Sequence, residues 1–399
     1  MLFSRVKNKI KRLLYKIHIL KDNYPKDFYV SKVSKNAPWV YVAYISGVFY
    51  NKENASVLNS HQNQREALAQ VEIFNEMGYN VYVQQYISKG KIPKRKFDIV
   101  FGHEPNFVRA AIQNPQAIKV HYVPGAYIDH RNGQIRRMTD YVNKTYKSSI
   151  PYRRLLEYDN PNHDSKTAYE MADKILMIGS KYTIETFPES LRTKIVPIHQ
   201  STQLSRTTND IQYASSNEFF FMGSGGNLLK GISLLVEYFS RHPEYTINIV
   251  GPIEPDVKEA LNGIITSNIK MHGFVDVNSD EMLEIMGRCN FVIYPSGSEG
   301  MPGAVLNSMK NGLIPIVTRW AAFDEIEEYG YVLENWTIDA IGEGIEWSNS
   351  LSKDKIITLK EKCFRYVDKT YSLEIYKQEF RDFFVKVIKE HNEIKAKNK

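Results

Sequence analysis

Residues 291–326 read FVIYPSGSEGMPGAVLNSMKNGLIPIVTRWAAFDEI, and this stretch decides the fold. Phe291–Tyr294 is a short apolar run, the pattern of a strand buried on both faces. The run stops at Pro295, and a loop of small residues follows, Ser296-Gly297-Ser298, then Glu299-Gly300. Pro302 suits a first helical turn, because its ring fixes φ and that turn leaves its missing N–H unused. Ala304, Val305, Ser308 and Met309 carry helical spacing, and Asn311-Gly312 is a stop signal. Leu313–Thr318 is a second buried strand, so the unit is β–loop–α–β. Its loop lies at the carboxyl end of a strand, where open parallel sheets bind ligands. There the free amides of Gly300 and Met301 and the helix dipole favour negative charge or hydroxyl oxygens. Glu299 stands in this loop with two readings open: it faces a ligand, or it closes a Ser296-x-x-Glu299 capping box.

Working outward, the same alternation recurs. Glu218–Met222 is a buried strand followed by Gly223-Ser224-Gly225-Gly226 and Lys230-Gly231, with a helix predicted over Ile232–Phe239. Small residues let a backbone approach a diphosphate and the Lys supplies a point charge. The loop lacks the Gly-Lys-Ser/Thr order of a Walker A motif and the spacing of a dinucleotide fingerprint. Thr246–Val250 is the next strand, and Ser279 caps a helix predicted from Met282 to Cys289. Upstream, Val40–Ile45 is a strand ending at Ser46-Gly47, a polar loop follows, and Ser60 is the expected N-cap of a helix carrying Ala67, Leu68, Val71, Phe74 and Met77. Tyr79–Val83, Phe97–Phe101 and Ile118–Tyr122 are strands, and a loop runs from the last of these to Asn132 before a basic helix over Ile135–Lys147. The Ala172-Asp173 strand, through Met177, and Lys194–Ile198 complete this half. Alternating strands and helices predict an α/β fold with a parallel, doubly wound sheet, whose crevice lies at the carboxyl ends of its strands. His103 and His121 both fall at carboxyl strand ends near that crevice, as structural residues or as participants in chemistry.

The stretch 291–326 resembles the donor-sugar loop of the family 4 retaining glycosyltransferases, which have the GT-B fold; the resemblance implies two Rossmann-like domains facing a central cleft. The family's signature is a Glu, seven residues, a second Glu, then a small residue, Met and a Gly-x-Pro strand. Here it reads Glu299-Gly300-Met301-Pro302 and Ser308-Met309-Lys310-Asn311-Gly312-Leu313-Ile314-Pro315, with Asn307 at the second Glu. Phe323-Asp324-Glu325-Ile326 resembles the closing Glu, with Ala321-Ala322 in place of Gly-Gly. The glycine loop resembles the family's diphosphate loop: Lys230 matches, whereas Ser224 stands where an Arg is usual. The Gly-Ser-Gly-Gly and Lys-Gly form, the Ser-Glu-Gly loop and the Gly-Leu-Ile-Pro strand are similar to those of bacterial polysaccharide-pathway transferases. The resemblance is strong over about 218–330 and weak before it.

It implies a nucleotide-sugar donor bound by Gly47, Gly223, Ser224, Lys230, Glu299, Gly300, Met301, Pro302, Asn307 and Glu325. Glu299, His121 and Lys230 are implied in catalysis, and His103 on the acceptor side. It further implies transfer with anomeric retention to a saccharide or lipid-linked acceptor, with no cofactor and no metal. The expected organisation is a basic amphipathic helix over 1–30, an acceptor-side domain over 36–200, a linker over 201–217, a donor domain over 218–371 and a helix over 372–399 that crosses back. A dinucleotide-dependent oxidoreductase and a catalytically lapsed module at the membrane are the other readings. The absent fingerprint and the lack of an acidic ribose ligand about twenty residues on weigh against the oxidoreductase.

Composition bounds the rest. The 399 residues are 43% hydrophobic and 24% charged, an ordinary globular composition long enough for two domains. Cys289 and Cys363 form no metal or disulfide pattern, which fits a reducing cytosol. No apolar run spans a bilayer, and the first twenty residues interleave charge throughout, unlike a signal peptide. Ten Lys/Arg and two Asp fall in residues 1–35, so the net charge of +7 resides there and the body is near neutral, which argues against a nucleic-acid binder. Phe3, Val6, Ile10, Leu13, Leu14, Ile17 and Leu20 share one helical face. Such a helix lies on an anionic membrane surface or packs on the body with its basic face solvated. The first of these predicts a cytoplasmic protein peripheral to the membrane.

Overall fold

The computed structural model describes residues 27–156, 165–202 and 211–397. Two parallel sheets organise it. The first has seven strands, β1 Phe28–Ser31, β2 Trp39–Tyr44, β3 Asn80–Gln85, β4 Ile99–Gly102, β5 Ile118–Val123, β6 Lys174–Ile178 and β7 Ile195–Ile198, in the order β1-β3-β2-β4-β5-β6-β7. Only β1 runs antiparallel, pairing Phe28 with Gln84 and Ser31 with Val81. The second has six, β8 Glu218–Met222, β9 Thr246–Val250, β10 Ile269–Gly273, β11 Cys289–Tyr294, β12 Ile314–Thr318 and β13 Tyr331–Leu333, in the order β10-β9-β8-β11-β12-β13, all parallel. The central strands are covered by helices on both faces, which is why Val40–Tyr44 and Cys289–Tyr294 are buried throughout.

In each sheet the strand order reverses once, between β2 and β4 and between β8 and β11. Connections leave these neighbours in opposite directions and open a crevice at their carboxyl ends. The loops there are Ile45-Ser46 and His103-Glu104 in the first unit, and Gly223–Lys230 and Pro295–Glu299 in the second. Residues of all four loops line one cleft.

Several local expectations shift. Phe28–Ser31 is a strand, so the end of the stretch read as a basic helix is sheet; residues 1–26 of that stretch lie outside the described residues. His61, not Ser60, caps the helix Gln62–Glu76, its ring accepting from the Asn63 amide, because a separate short helix occupies Ala55–Ser60. The basic helix starts at Ile128, inside the expected loop, since Ile128, Ile135, Met138 and Val142 bury one continuous face. The helix expected to reach Cys289 ends at Gly287, and Cys289 opens β11. Of the linker, residues 203–210 lie outside the described set, while Ser201 and Thr202 are buried, Thr202 donating to the Tyr371 carbonyl at 2.9 Å.

The last helix, Leu373–Lys397, lies on the first unit. Phe384 packs between Phe74 (ring centroids 4.7 Å apart) and Phe101 (5.5 Å), with Phe380 beside it at 4.8 Å. Lys377–Glu72 (2.9 Å) and an Arg381–Glu76 pair flank the rings. Phe384→Ala is expected to destabilise the first unit by about 3–5 kcal/mol, because a buried aromatic leaves a cavity that its neighbours fill only in part. Thermal unfolding of the variant checks this, and an unchanged midpoint would show that the helix is not part of that core.

Candidate active site

The cleft between the units has a volume of about 760 Å³. Its second-unit wall is built around Lys230. Gly223, at the end of β8, leaves room for the lysine stem: a Cβ there would meet Lys230 Cδ at 3.1 Å. The ammonium donates to Tyr294 Oη at 2.6 Å and to Glu299 Oε1 at 3.0 Å. The hydroxyls of Tyr294 (3.0 Å) and Ser296 (3.2 Å) donate to the same carboxylate oxygen. Burial alone would lower the Lys230 pKa, but the charge of Glu299 and the Tyr294 oxygen outweigh it and hold the lysine above its usual range. It is cationic at any physiological pH, with one of its three donors left for a ligand.

This geometry removes the capping reading of Glu299. The helix begins at Gly303, seven residues past Ser296, and Pro302 is its N-cap rather than its first residue. The helix is only seven residues long, and the segment before it serves the seam between units. The Gly300 carbonyl accepts from Thr183 Oγ1 at 3.2 Å, and the Met301 carbonyl from Gln200 Nε2 at 2.7 Å. Gly312, with φ +78°, ends the helix in the left-handed conformation its stop signal requires.

The first-unit wall holds both histidines. His121 Nδ1 donates to the Gly102 carbonyl at 3.1 Å, and its Nε2 lies 3.5 Å from Glu104 Oε2. His103 stacks on Tyr122 at 5.3 Å. Burial lowers both histidine pKa values against the opposing charge of Glu104, that of His103 to about 4, so both are neutral at pH 7. Burial would raise the Glu104 pKa, but the positive charge that His121 and His103 carry when protonated and the Ser165 hydroxyl together hold it below the usual carboxylate range.

Lys230, Glu299, Gly223, Ser224, Gly300, Met301, Pro302, His103 and His121 thus line one cleft. Among the described residues the wall does not include Gly47, Asn307 or Glu325. Gly47 turns into a short 3-10 segment. Asn307 is on the inner side of its helix and 2% exposed. Glu325 is exposed beyond the buried Ala321–Phe323 turn, where it accepts from Tyr366 Oη at 2.8 Å.

Sequence reasoning missed Glu66, Arg131 and Arg154, all on the wall. Glu66 shares a helical face with Gln70 and Phe74, and a carboxylate on a buried stripe was the available signal. Its Oε1 accepts from the Ser201 amide at 2.7 Å and hydroxyl at 3.0 Å, while its Oε2 has no partner among the described residues. Burial raises its pKa to about 7 against those two hydrogen bonds. The folded state therefore holds a proton that the unfolded chain releases at lower pH. Stability from this group is complete below pH 4.5 and is lost as pH rises through 7. Glu66→Gln is expected to flatten this slope and to be the more stable protein above pH 7, by up to roughly 3 kcal/mol. Thermal midpoints of both proteins from pH 5 to 8.5 check it; parallel curves would refute it.

With the geometry in place, comparison adds a family and a fold. Residues 216–348 match the model of the family Glycosyl transferases group 1. The fold is GT-B. Sucrose-phosphate synthase from Thermosynechococcus elongatus superposes with a TM-score of 0.58 at 12% identity, over 89% of this chain and 100% of that one. Alr3699/HepE from Anabaena, in complex with UDP and glucose, gives 0.52 at 10% identity, over 88% and 100%. A glycosyltransferase from Rickettsia africae gives 0.51 at 14%, over 89% and 99%. At such identities the likeness is one of fold. No curated protein matches the sequence. The fold is thus GT-B, residues 216–348 are similar to a glycosyltransferase family model, and the Lys230–Glu299 pair falls in that matched segment.

Proposed function

We propose that this protein is a retaining glycosyltransferase of the family 4 type, moving a sugar from a nucleotide-sugar donor to a saccharide or lipid-linked acceptor in bacterial surface polysaccharide synthesis. The observation that carries the reading is the Lys230–Glu299–Tyr294 cluster, set between the glycine loop and the β11 loop at the strand-order reversal of the matched domain. A departing nucleoside diphosphate needs fixed positive charge where its negative charge grows, and Lys230 supplies it without reorganisation. Glu299, held on one oxygen by Lys230, Tyr294 and Ser296, keeps acceptor capacity for a hydroxyl of the donor sugar. Retention, and independence of a metal, come from the family resemblance. Because the Anabaena structure holds UDP and glucose, UDP-sugars are the first donors to try.

The test is release of nucleoside diphosphate from a panel of UDP-, GDP-, CDP- and ADP-sugars, with and without EDTA. The anomeric configuration of any product is then read by NMR. Release from one donor class, insensitive to EDTA, supports the reading, and an inverted product removes retention. No release from any donor, with acceptor extracts present, supports the lapsed module.

The reading extends to the membrane. Among the described residues no helix is long and apolar enough to cross one. The basic stretch 1–20 would dock a cytoplasmic enzyme on anionic lipid. Equal sedimentation of the full chain and a chain lacking residues 1–30 with anionic vesicles would remove that part.

A further inference from the structure

The cleft holds two arginines that the donor-side cluster does not use. Arg131 projects from the helix Ile128–Tyr146, and Arg154 follows Ile150–Arg153; both belong to the first unit and both line the cleft that Gly223–Gly226 also line. Arg154 lies against the glycine loop: a Cβ on Gly225 would sit 2.7 Å from its Nη2, and one on Gly226 3.3 Å from its Nη1. Its backbone is left-handed, with φ +61°, a conformation that costs a non-glycine residue and persists where its surroundings enforce it. The neighbouring Arg153 forms a 2.5 Å ion pair with Asp256 of the second unit.

The charges around these guanidiniums are already committed elsewhere. Glu299 pairs with Lys230. Glu104 holds His121 and Ser165. Glu254, beside the glycine loop, accepts from the amides of Gly226 (2.5 Å) and Asn227 (3.1 Å). Among the described residues no carboxylate forms an ion pair with Arg131 or Arg154. The two cations also interact: burial first, then the charge of Arg154, lowers the Arg131 pKa. Two guanidiniums on one cleft wall, each with five donors, are arranged for an anion that both can reach.

We propose that Arg131 and Arg154 of the first unit complete the diphosphate site of the second, so that a nucleoside diphosphate is held from both sides of the cleft. This rests on the donor reading given above. It deepens that reading by making the acceptor-side unit part of the donor site. Ser224 brings no charge to the glycine loop, and Lys230 is shared with Glu299. The bidentate geometry of two arginines supplies what the loop lacks. Donor binding then joins the units, and a bound diphosphate resists their separation.

The experiment is calorimetric titration of the full chain with UDP, GDP, CDP and ADP, and with the monophosphate of whichever binds. Arg131→Met, Arg154→Ala and Arg154→Lys are titrated alongside. Arg154→Ala and Arg131→Met are each expected to weaken the diphosphate tenfold or more and the monophosphate less, so the ratio of their affinities narrows. Arg154→Lys is expected to fall between, keeping charge without the bidentate fork. Unliganded thermal midpoints identify a variant that has misfolded, and Arg154→Lys then carries the test. Wild-type affinity in both arginine variants would overturn the proposal while leaving the donor reading intact. So would a change confined to the acceptor's KM, which would make the arginines an acceptor site. Failure of the wild-type chain to bind any nucleoside diphosphate would overturn the donor reading itself.

Discussion

Lys230→Met is expected to lower kcat for sugar transfer by about 10²- to 10³-fold, the loss usual when one fixed electrostatic contact to a developing negative charge is removed. The ammonium sits between Tyr294 Oη and Glu299, with its side chain 17% exposed, and its stem passes Gly223 of the glycine loop. Methionine keeps the length of the stem and removes the charge. The change also leaves the Glu299 carboxylate, 21% exposed, with only two hydroxyl donors. A fall in the unliganded thermal midpoint is therefore expected as well. Lys230→Arg separates the two effects, since it restores charge to Glu299 with a different donor geometry. Steady-state kinetics with the consumed nucleotide sugar check the claim. A kcat within threefold of wild type would remove Lys230 from the chemistry.

Gly300→Ala is expected to lower turnover about 100-fold through geometry alone. A Cβ at Gly300 would lie 2.3 Å from the Ile178 carbonyl oxygen and 2.5 Å from that of Pro124. Both are backbone atoms of the first unit at the carboxyl ends of β6 and β5, so no side-chain rotation relieves the clash. The Glu299–Pro302 loop and the opposite wall must move apart, and the Thr183 and Gln200 hydrogen bonds to Gly300 and Met301 lengthen with them. A displacement of about 1 Å at reacting groups is worth on the order of 10²-fold in rate. Overpacking of this kind also costs roughly 1–3 kcal/mol of stability. Gly263→Ala is the control, because nothing lies within 4 Å of its Cβ. The comparison is kcat/KM for both variants. Equal values would show that the seam between the units yields without consequence.

The fold was legible because its central strands are buried on both faces and read as bare apolar runs, Phe291–Tyr294 and Phe219–Phe221 among them. Gly312 announced the end of its helix because only glycine takes a left-handed φ, here +78°, without steric cost. Lys230 and Glu299, 69 residues apart, are brought together by the reversal of strand order. Only the family resemblance pointed to that pairing. Other features were hidden for identifiable reasons. Phe28–Ser31 is short, follows a basic run and gains its identity from pairing with β3. Asp129-His130-Arg131-Asn132-Gly133 reads as a loop, yet the helix persists because Ile128, Ile135, Met138 and Val142 anchor it. Arg131, Arg154 and Glu66 acquire their meaning from the opposite wall or a buried face, and no local spacing encodes such relations.

The account stands most directly on donor binding. Calorimetric titration of nucleoside diphosphates into the wild-type chain and into Lys230→Met is the decisive measurement. The account predicts that the wild type binds one of them and that Lys230→Met binds it at least tenfold more weakly. Equal affinity in the two proteins, or no binding to the wild type, would contradict the assignment of this cleft as a nucleotide-sugar site.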